Sequence, residues 1–307
     1  MRFYNQLPNL LAGTALTTAV VIILPQAAFA LSGRQVNDIA REVTVLFRGT
    51  RGQHGSGVII AKSDQTYYVL TAHHVVRRED DYKLVTADKQ AYAIDYAKIK
   101  PLPGIDLAVV EFTSEQDYQV AKLANSELAS QGQEVFISGW PALGVVGREA
   151  GGQLIRQFTD GQISGFLEKP FIGYQMIYTN ITRAGMSGGP VLDAGGRVIG
   201  IHGLGDKEDP TKFTRQGFTQ EEASSIANKI KPGFNYAIPI NSFFQLAPQA
   251  GIFLSWQVEN SPAPELGEPY VASAEPDPRD TIDDINTTLD TVNNAINTVD
   301  KIRNLFR

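Results

Sequence analysis

The sequence predicts an all-β fold between about Val43 and Ile240, and three observations carry the expectation. Short runs rich in β-branched and aromatic residues recur, Gly, Asp, Asn and Pro turns separate them at close spacing, and no regular helices intervene. Many short strands without helices between them point to a sandwich or a barrel. In chain order the runs include Val43-Thr44-Val45-Leu46-Phe47, Val58-Ile59-Ile60, Tyr67-Tyr68-Val69-Leu70, Leu107-Ala108-Val109-Val110, Glu134-Val135-Phe136-Ile137 and Val198-Ile199-Gly200-Ile201. Asp193-Ala194-Gly195-Gly196, between Pro190-Val191-Leu192 and Arg197-Val198-Ile199, reads as a hairpin loop. Gln220 to Lys229 fits either a short helix or a surface loop.

Both ends depart from this texture. Arg2 supplies a weak positive flank, Leu10 to Leu24 is almost wholly apolar or small, and Ala28-Phe29-Ala30 has the small-x-small pattern of a processing site. Residues 1–30 are therefore expected to be a signal peptide, with the mature chain starting near Leu31 in the periplasm or outside the cell. The competing reading is an uncleaved helix that holds the chain to a membrane, since the run nearly reaches spanning length. Residues 31–257 form the expected globular domain. Residues 258–280, with Pro262, Pro264, Pro269, Pro276 and Pro278 among acidic and small residues, are expected to be an extended, poorly ordered linker. Beyond it Ile282, Ile285, Leu289, Val292, Ile296 and Val299 step by 3, 4, 3, 4 and 3 residues. That is the seam of an amphipathic heptad helix over 281–307, suited to a second copy of the chain or to a partner helix.

Composition narrows the chemistry. The 307 residues contain no cysteine, which excludes a disulfide framework and a thiolate zinc site. Four histidines are too few and scattered for a metal cluster, and no metal or organic cofactor is implied. A net charge of −6 argues against nucleic acid as a partner. From Glu259 onward there are ten acidic and four basic residues, so the tail holds that excess and the rest is near neutral.

Ser187 stands out first. Gly185-Met186-Ser187-Gly188-Gly189-Pro190 packs three glycines around one serine, then enters the apolar Val191-Leu192. Glycine lets backbone N–H groups approach a ligand closely, and a nucleophilic serine needs such donors aimed at a developing oxyanion. Here those donors are the amides of Gly185 and Ser187. By itself the segment equally fits an inert glycine-rich turn. A serine hydroxyl also needs a base, and Val69-Leu70-Thr71-Ala72-His73-His74 is an apolar strand ending in a histidine pair. Asp106 enters the apolar Leu107-Ala108-Val109-Val110, where a carboxylate is costly to bury unless an imidazole N–H or a similar donor meets it. The order His, Asp, Ser is that of the chymotrypsin-type barrels, whereas subtilisin-like chains and α/β-hydrolases use other orders.

Thr71-Ala72-His73-His74-Val75, Asp106-Leu107-Ala108-Val109 and Gly185-Met186-Ser187-Gly188-Gly189-Pro190 resemble the three signature blocks of trypsin-like serine peptidases. The cysteine-free bacterial branches, including the HtrA-type proteases, are the nearest in pattern. Asn235-Tyr236-Ala237-Ile238-Pro239-Ile240 resembles the Phe-Ala-Ile-Pro block that closes HtrA protease domains. The resemblance spans about Ile39 to Leu246. It implies two six-stranded antiparallel barrels, a site in the cleft between them, and a serine endopeptidase that cuts protein or peptide substrates through an acyl-enzyme. His74, fourth in Thr-x-x-His, takes the place of the base, Asp106 orients it, and activity falls as the base protonates in acid. Two departures matter. Met186 replaces the Asp that trypsin-like zymogens pair with a freed N-terminus, and no PDZ-like length follows Leu246. Thr182, five residues before Ser187, and His202, fifteen after it, sit where bacterial glutamyl endopeptidases line a pocket for an acidic side chain. A catalytically silent, protease-like peptide-binding or envelope scaffold that oligomerises through its C-terminal helix is the alternative.

Overall fold

The computed structural model describes residues 31–142, 152–206, 210–215, 217, 219–229, 233–268, 270–271 and 277–283. The signal segment and the heptad seam beyond Asp283 lie outside them.

The first sheet is built from β1 (Thr44–Arg48), β2 (His54–Ser63), β3 (Thr66–Ala72), β4 (Lys83–Val85), β5 (Ala91–Ala93), β6 (Lys100–Pro101) and β7 (Leu107–Thr113). Its order is β5-β4-β1-β2-β3-β7-β6, with every neighbour antiparallel. Successive side chains leave a strand on opposite faces, and here both faces are buried. Val45, Phe47, Ile59, Val69 and Val110 fill the interior of the curled sheet. Their neighbours Val58, Ile60, Leu70 and Val109 face outward into a core shared with the second sheet.

The second sheet contains β8 (Leu123–Ala124), β9 (Glu134–Gly139), β11 (Gln157–Phe171), β12 (Tyr174–Tyr178), β13 (Pro190–Asp193), β14 (Val198–Gly205), β15 (Asn235–Pro239) and β16 (Val258–Glu259). Strand β13 pairs with both β9 and β14, which closes the sheet into a ring. The ring is filled by Val135, Ile137, Met176, Tyr178, Val191 and Ile199. Phe136, Leu192, Val198, Ile201 and Ile238 point the other way into the shared core. The architecture is thus two barrels packed along a seam. Among the described residues the closed ring has the expected six strands, β13-β9-β11-β12-β15-β14, with β8 and β16 appended in parallel beside β14, and the first sheet counts seven.

Helices occupy the margins. The helix α1 (Gly33–Val43) starts with a capping box between Ser32 and Gln35 and buries Val36, Ala40 and Val43. The others are α2 (His73–Val76), α3 (Thr211–Thr214), α4 (Gln220–Lys229) and α5 (Ile240–Leu246). Of the two readings open for Gln220–Lys229, the helix is the one found; Thr219 and Glu222 exchange hydrogen bonds across its start. Among the described residues no helix is long and apolar enough to cross a membrane.

The described residues after Gln257 are tied to the body and do not form a loose linker. They strap the body. Strand β16 joins β8, and the buried Arg197 binds Asp193, Glu259, the Ser261 hydroxyl and the Pro262 carbonyl. The Gly267 N–H donates to the Leu31 carbonyl at 3.0 Å. Asp280 receives Arg41 at 3.0 Å and Arg156 at 2.6 Å. The last described strand, β17 (Thr281–Asp283), pairs with β10 (Gln153–Ile155). Residues 281–283 are therefore strand and not the start of a helix: Ile282, the first residue of the expected seam, packs on Leu46, Val85, Trp140 and Leu154. Local heptad spacing yields here to tertiary burial.

Burial pulls the Asp280 carboxyl up, but the bonds from Arg41 and Arg156 outweigh it and hold the group below its ordinary 3.8. The strap's hold is therefore complete above about pH 4 and is lost as pH falls beneath that value. Asp280→Ala leaves two mostly buried guanidinium groups short of a partner, a loss of about 3 kcal/mol. For a domain of this size a melting curve should move down by about 6–12 °C; an unchanged curve would show that the strap contributes nothing.

Candidate active site

In the β3–β7 pairing Ala72 lies opposite Leu107. The residues just past the end of β3 and just before the start of β7 therefore meet at one sheet edge. His73 and His74 open α2 there, and Asp106 closes the loop that carries Pro103-Gly104. The His74 N–H, one of the amides a helix start leaves unpaired, donates to Asp106 Oδ1 at 2.8 Å. The His74 ring Nδ1 is 2.6 Å from Asp106 Oδ2. An ionised carboxylate can only accept, so Nδ1 carries the proton and Nε2 is left as the basic nitrogen. The Tyr174 hydroxyl donates to the same Oδ2 at 2.8 Å. Burial would raise the Asp106 carboxyl; the bonds from His74 and Tyr174 more than offset it, so the group sits below the usual carboxylate range. His73 takes no part in this pair through its ring. Its N–H donates to the Asp106 carbonyl at 3.0 Å, and burial holds its imidazole below the ordinary value.

Ser187 lies just before β13, on the second sheet. The turn Arg183-Ala184-Gly185-Met186 is closed by the Met186 N–H on the Arg183 carbonyl at 3.1 Å, with Gly185 at φ +95°. A positive φ at the third position is the mark of a type II turn and is why glycine stands there. The Ala184 carbonyl accepts from the Ala142 N–H at 2.7 Å. Because the peptide is trans, the Gly185 N–H must point away from Ala142.

Ser56, on β2 of the first sheet, holds the rest of this loop. Its N–H donates to the Ser187 carbonyl at 2.8 Å and its hydroxyl to the Gly185 carbonyl at 2.9 Å. The hydroxyl also accepts from the Trp140 N–H at 2.8 Å. The carbonyls of both proposed oxyanion donors are thus gripped from the opposite barrel. Met186 is buried among Ile137, Tyr178 and Val191, an apolar anchor for the loop. The Ser187 hydroxyl donates to the Gly203 carbonyl at 3.2 Å and not to His74.

Thr182 and His202 are buried beside the loop. The main chain of His202 is tied under it, accepting from the Gly188 N–H at 2.7 Å and donating to the Gly189 carbonyl at 2.9 Å. The His202 ring pairs through Nδ1 with the Tyr178 hydroxyl at 2.5 Å, and Thr182 bonds to Asn235. Among the described residues no cluster of His, Asp and Glu could hold a metal ion. Sequence reasoning passed over Ser56 and Tyr174. Ser56 did leave a signal, a lone serine framed by glycines at the start of an apolar strand; Tyr174 left none.

The chain is similar to known proteins in this region. Residues 55–201 match the profile of the trypsin-like peptidase domain. The chain is 25% identical over 189 residues to the serine protease Do-like HtrA of Bacillus subtilis, covering 59% of this chain and 40% of that protein. It is 28% identical over 158 residues to the Do-like HtrB of the same organism, covering 48% and 32%. With the Do-like HtrA of Lactococcus lactis it shares 25% over 251 residues, covering 74% and 55%. The chain therefore spans only a third to about half of these relatives' own lengths. What the family profile matches is the stretch that contains His74, Asp106 and Ser187, and there the chain is similar to trypsin-like peptidase domains.

Proposed function

We propose that this protein is a serine endopeptidase in which Ser187 is the nucleophile, His74 the general base and Asp106 the residue that orients it. The observation that carries the reading is the His74–Asp106 pair, whose geometry fixes the tautomer a base requires. In the first step the Ser187 hydroxyl leaves the Gly203 carbonyl by a side-chain rotation, gives its proton to His74 Nε2 and attacks the scissile carbonyl. The N–H groups of Gly185 and Ser187 receive the oxyanion. His74 then protonates the departing amine, and water repeats the sequence to release the acyl group.

Thr182 and His202 belong to the same proposal as residues that favour an acidic side chain before the cut. Their spacing from Ser187 supports this, as does the tie between the His202 main chain and the nucleophile loop. Export is read from the N-terminal segment alone, and oligomerisation from the heptads alone. The silent-scaffold alternative predicts no hydrolysis at all.

Digestion of denatured casein, with cut sites mapped by mass spectrometry, tests both levels. Hydrolysis lost on Ser187→Ala, with cuts after Glu and Asp, is expected. Cuts mainly after Lys, Leu or Ala would remove the acidic preference, and hydrolysis unaffected by Ser187→Ala would remove the enzyme mechanism. Ser56→Ala frees the Gly185 carbonyl but keeps the amide hold on Ser187. It should lower kcat by roughly tenfold to hundredfold with little change in KM. An unchanged kcat would mean that the loop holds its shape without Ser56.

A further inference from the structure

Asp106 is gripped from the second sheet at two points, and both come from one hairpin. Strands β11 and β12 are joined by a two-residue turn, Ile172-Gly173, with Phe171 paired to Tyr174. The φ angles are +43° at Ile172 and +93° at Gly173, the pattern of a type I′ turn. Positive φ at a β-branched residue is rare and is kept only where surrounding contacts impose it. Here the Ile172 carbonyl accepts the Asp106 N–H at 2.9 Å, and a side chain on Gly173 would collide with Ile105, 2.8 Å from the Cβ position. The turn is therefore pressed against the loop that ends in Asp106. One residue later Tyr174, 1% exposed, sends its hydroxyl to Asp106 Oδ2.

Room for that hydroxyl comes from Gly203 on β14. A Cβ built on Gly203 would lie 1.9 Å from Tyr174 Oη, 2.7 Å from Cζ and 2.9 Å from Cε1. A side chain at 203 and the tyrosine cannot coexist. Conversely, a hydroxyl carried on a short side chain at 203 would stand close to where the Tyr174 hydroxyl now stands, within reach of the same carboxylate oxygen.

We infer that Tyr174 is a positioning residue for the reaction, locking the Asp106 carboxylate in the orientation that pairs with His74, and that Gly203 is the complement that admits it. This rests on the proposed triad. With Oδ1 on the His74 amide and Oδ2 shared between the His74 ring and Tyr174, the carboxylate has no freedom to turn. Removing the hydroxyl leaves Oδ2 held by the imidazole alone, the partner whose orientation it is meant to set.

The test is casein hydrolysis by four variants against the wild type, each first shown to melt cooperatively. Tyr174→Phe removes only the hydroxyl and should lower kcat roughly tenfold, with KM unchanged, since a hydrogen bond to a charged group is lost. Tyr174→Leu, which also removes the ring atoms that block residue 203, should lose at least as much. Adding Gly203→Ser to Tyr174→Leu should restore most of the loss, because the serine hydroxyl takes over the bond to Oδ2. Gly203→Ser beside the intact tyrosine should impair the enzyme. A merely structural Tyr174 would not be rescued by a hydroxyl at another position. Tyr174→Phe with wild-type kcat, or a double variant no better than Tyr174→Leu, overturns this inference while leaving the triad standing. A wild type without Ser187-dependent hydrolysis overturns the proposed function and this inference together.

Discussion

A carboxylate set at the seam between two barrels is the constraint on which the rest of this structure turns. Asp106 is too deeply placed to remain charged without partners, and an unmet buried carboxylate is among the costliest features a fold can carry. Its partners are drawn from both sheets: two from His74 on the first and one from Tyr174 on the second. Satisfying Asp106 therefore does two things at once. It fixes which nitrogen of His74 carries the proton, and it pins the tip of the β11–β12 hairpin against the loop before β7.

The nucleophile loop answers to a second crossing of the seam. Ser56 reaches from β2 to the carbonyls of Gly185 and Ser187, and Met186 plugs into the ring interior beneath them. Neither contact involves a charge that a cleaved N-terminus must supply. The shape of the loop is thus a property of the folded body.

Much of this could be read from the chain, and the rest could not for reasons of distance. The strand texture, the hairpin before Arg197 and the order of His74, Asp106 and Ser187 are local or one-dimensional signals. The two-barrel architecture followed from the motifs, whereas the strand β16 appended beside the second barrel did not, because it opens a proline-rich stretch that looks unstructured by composition. The described residues of that stretch are held by partners far back in the sequence: Asp280 meets Arg156 across 124 positions and Arg41 across 239. Tyr174 was invisible for a similar reason. A tyrosine in a strand reads as core, and only its position opposite a glycine and beside a carboxylate gives it another role. Helix α1 was legible in hindsight, since Ser32 and Gln35 form a capping box ahead of Val36, Ala40 and Val43.

The central claim is that the seam assembles an activated serine at position 187. The most direct measurement is the intact mass of the protein after exposure to a fluorophosphonate at neutral pH, followed by peptide mapping. The account predicts a single adduct, located on Ser187, whose formation is lost in His74→Ala and strongly slowed in Asp106→Asn. An unmodified protein, or an adduct that forms equally well without His74, would contradict it.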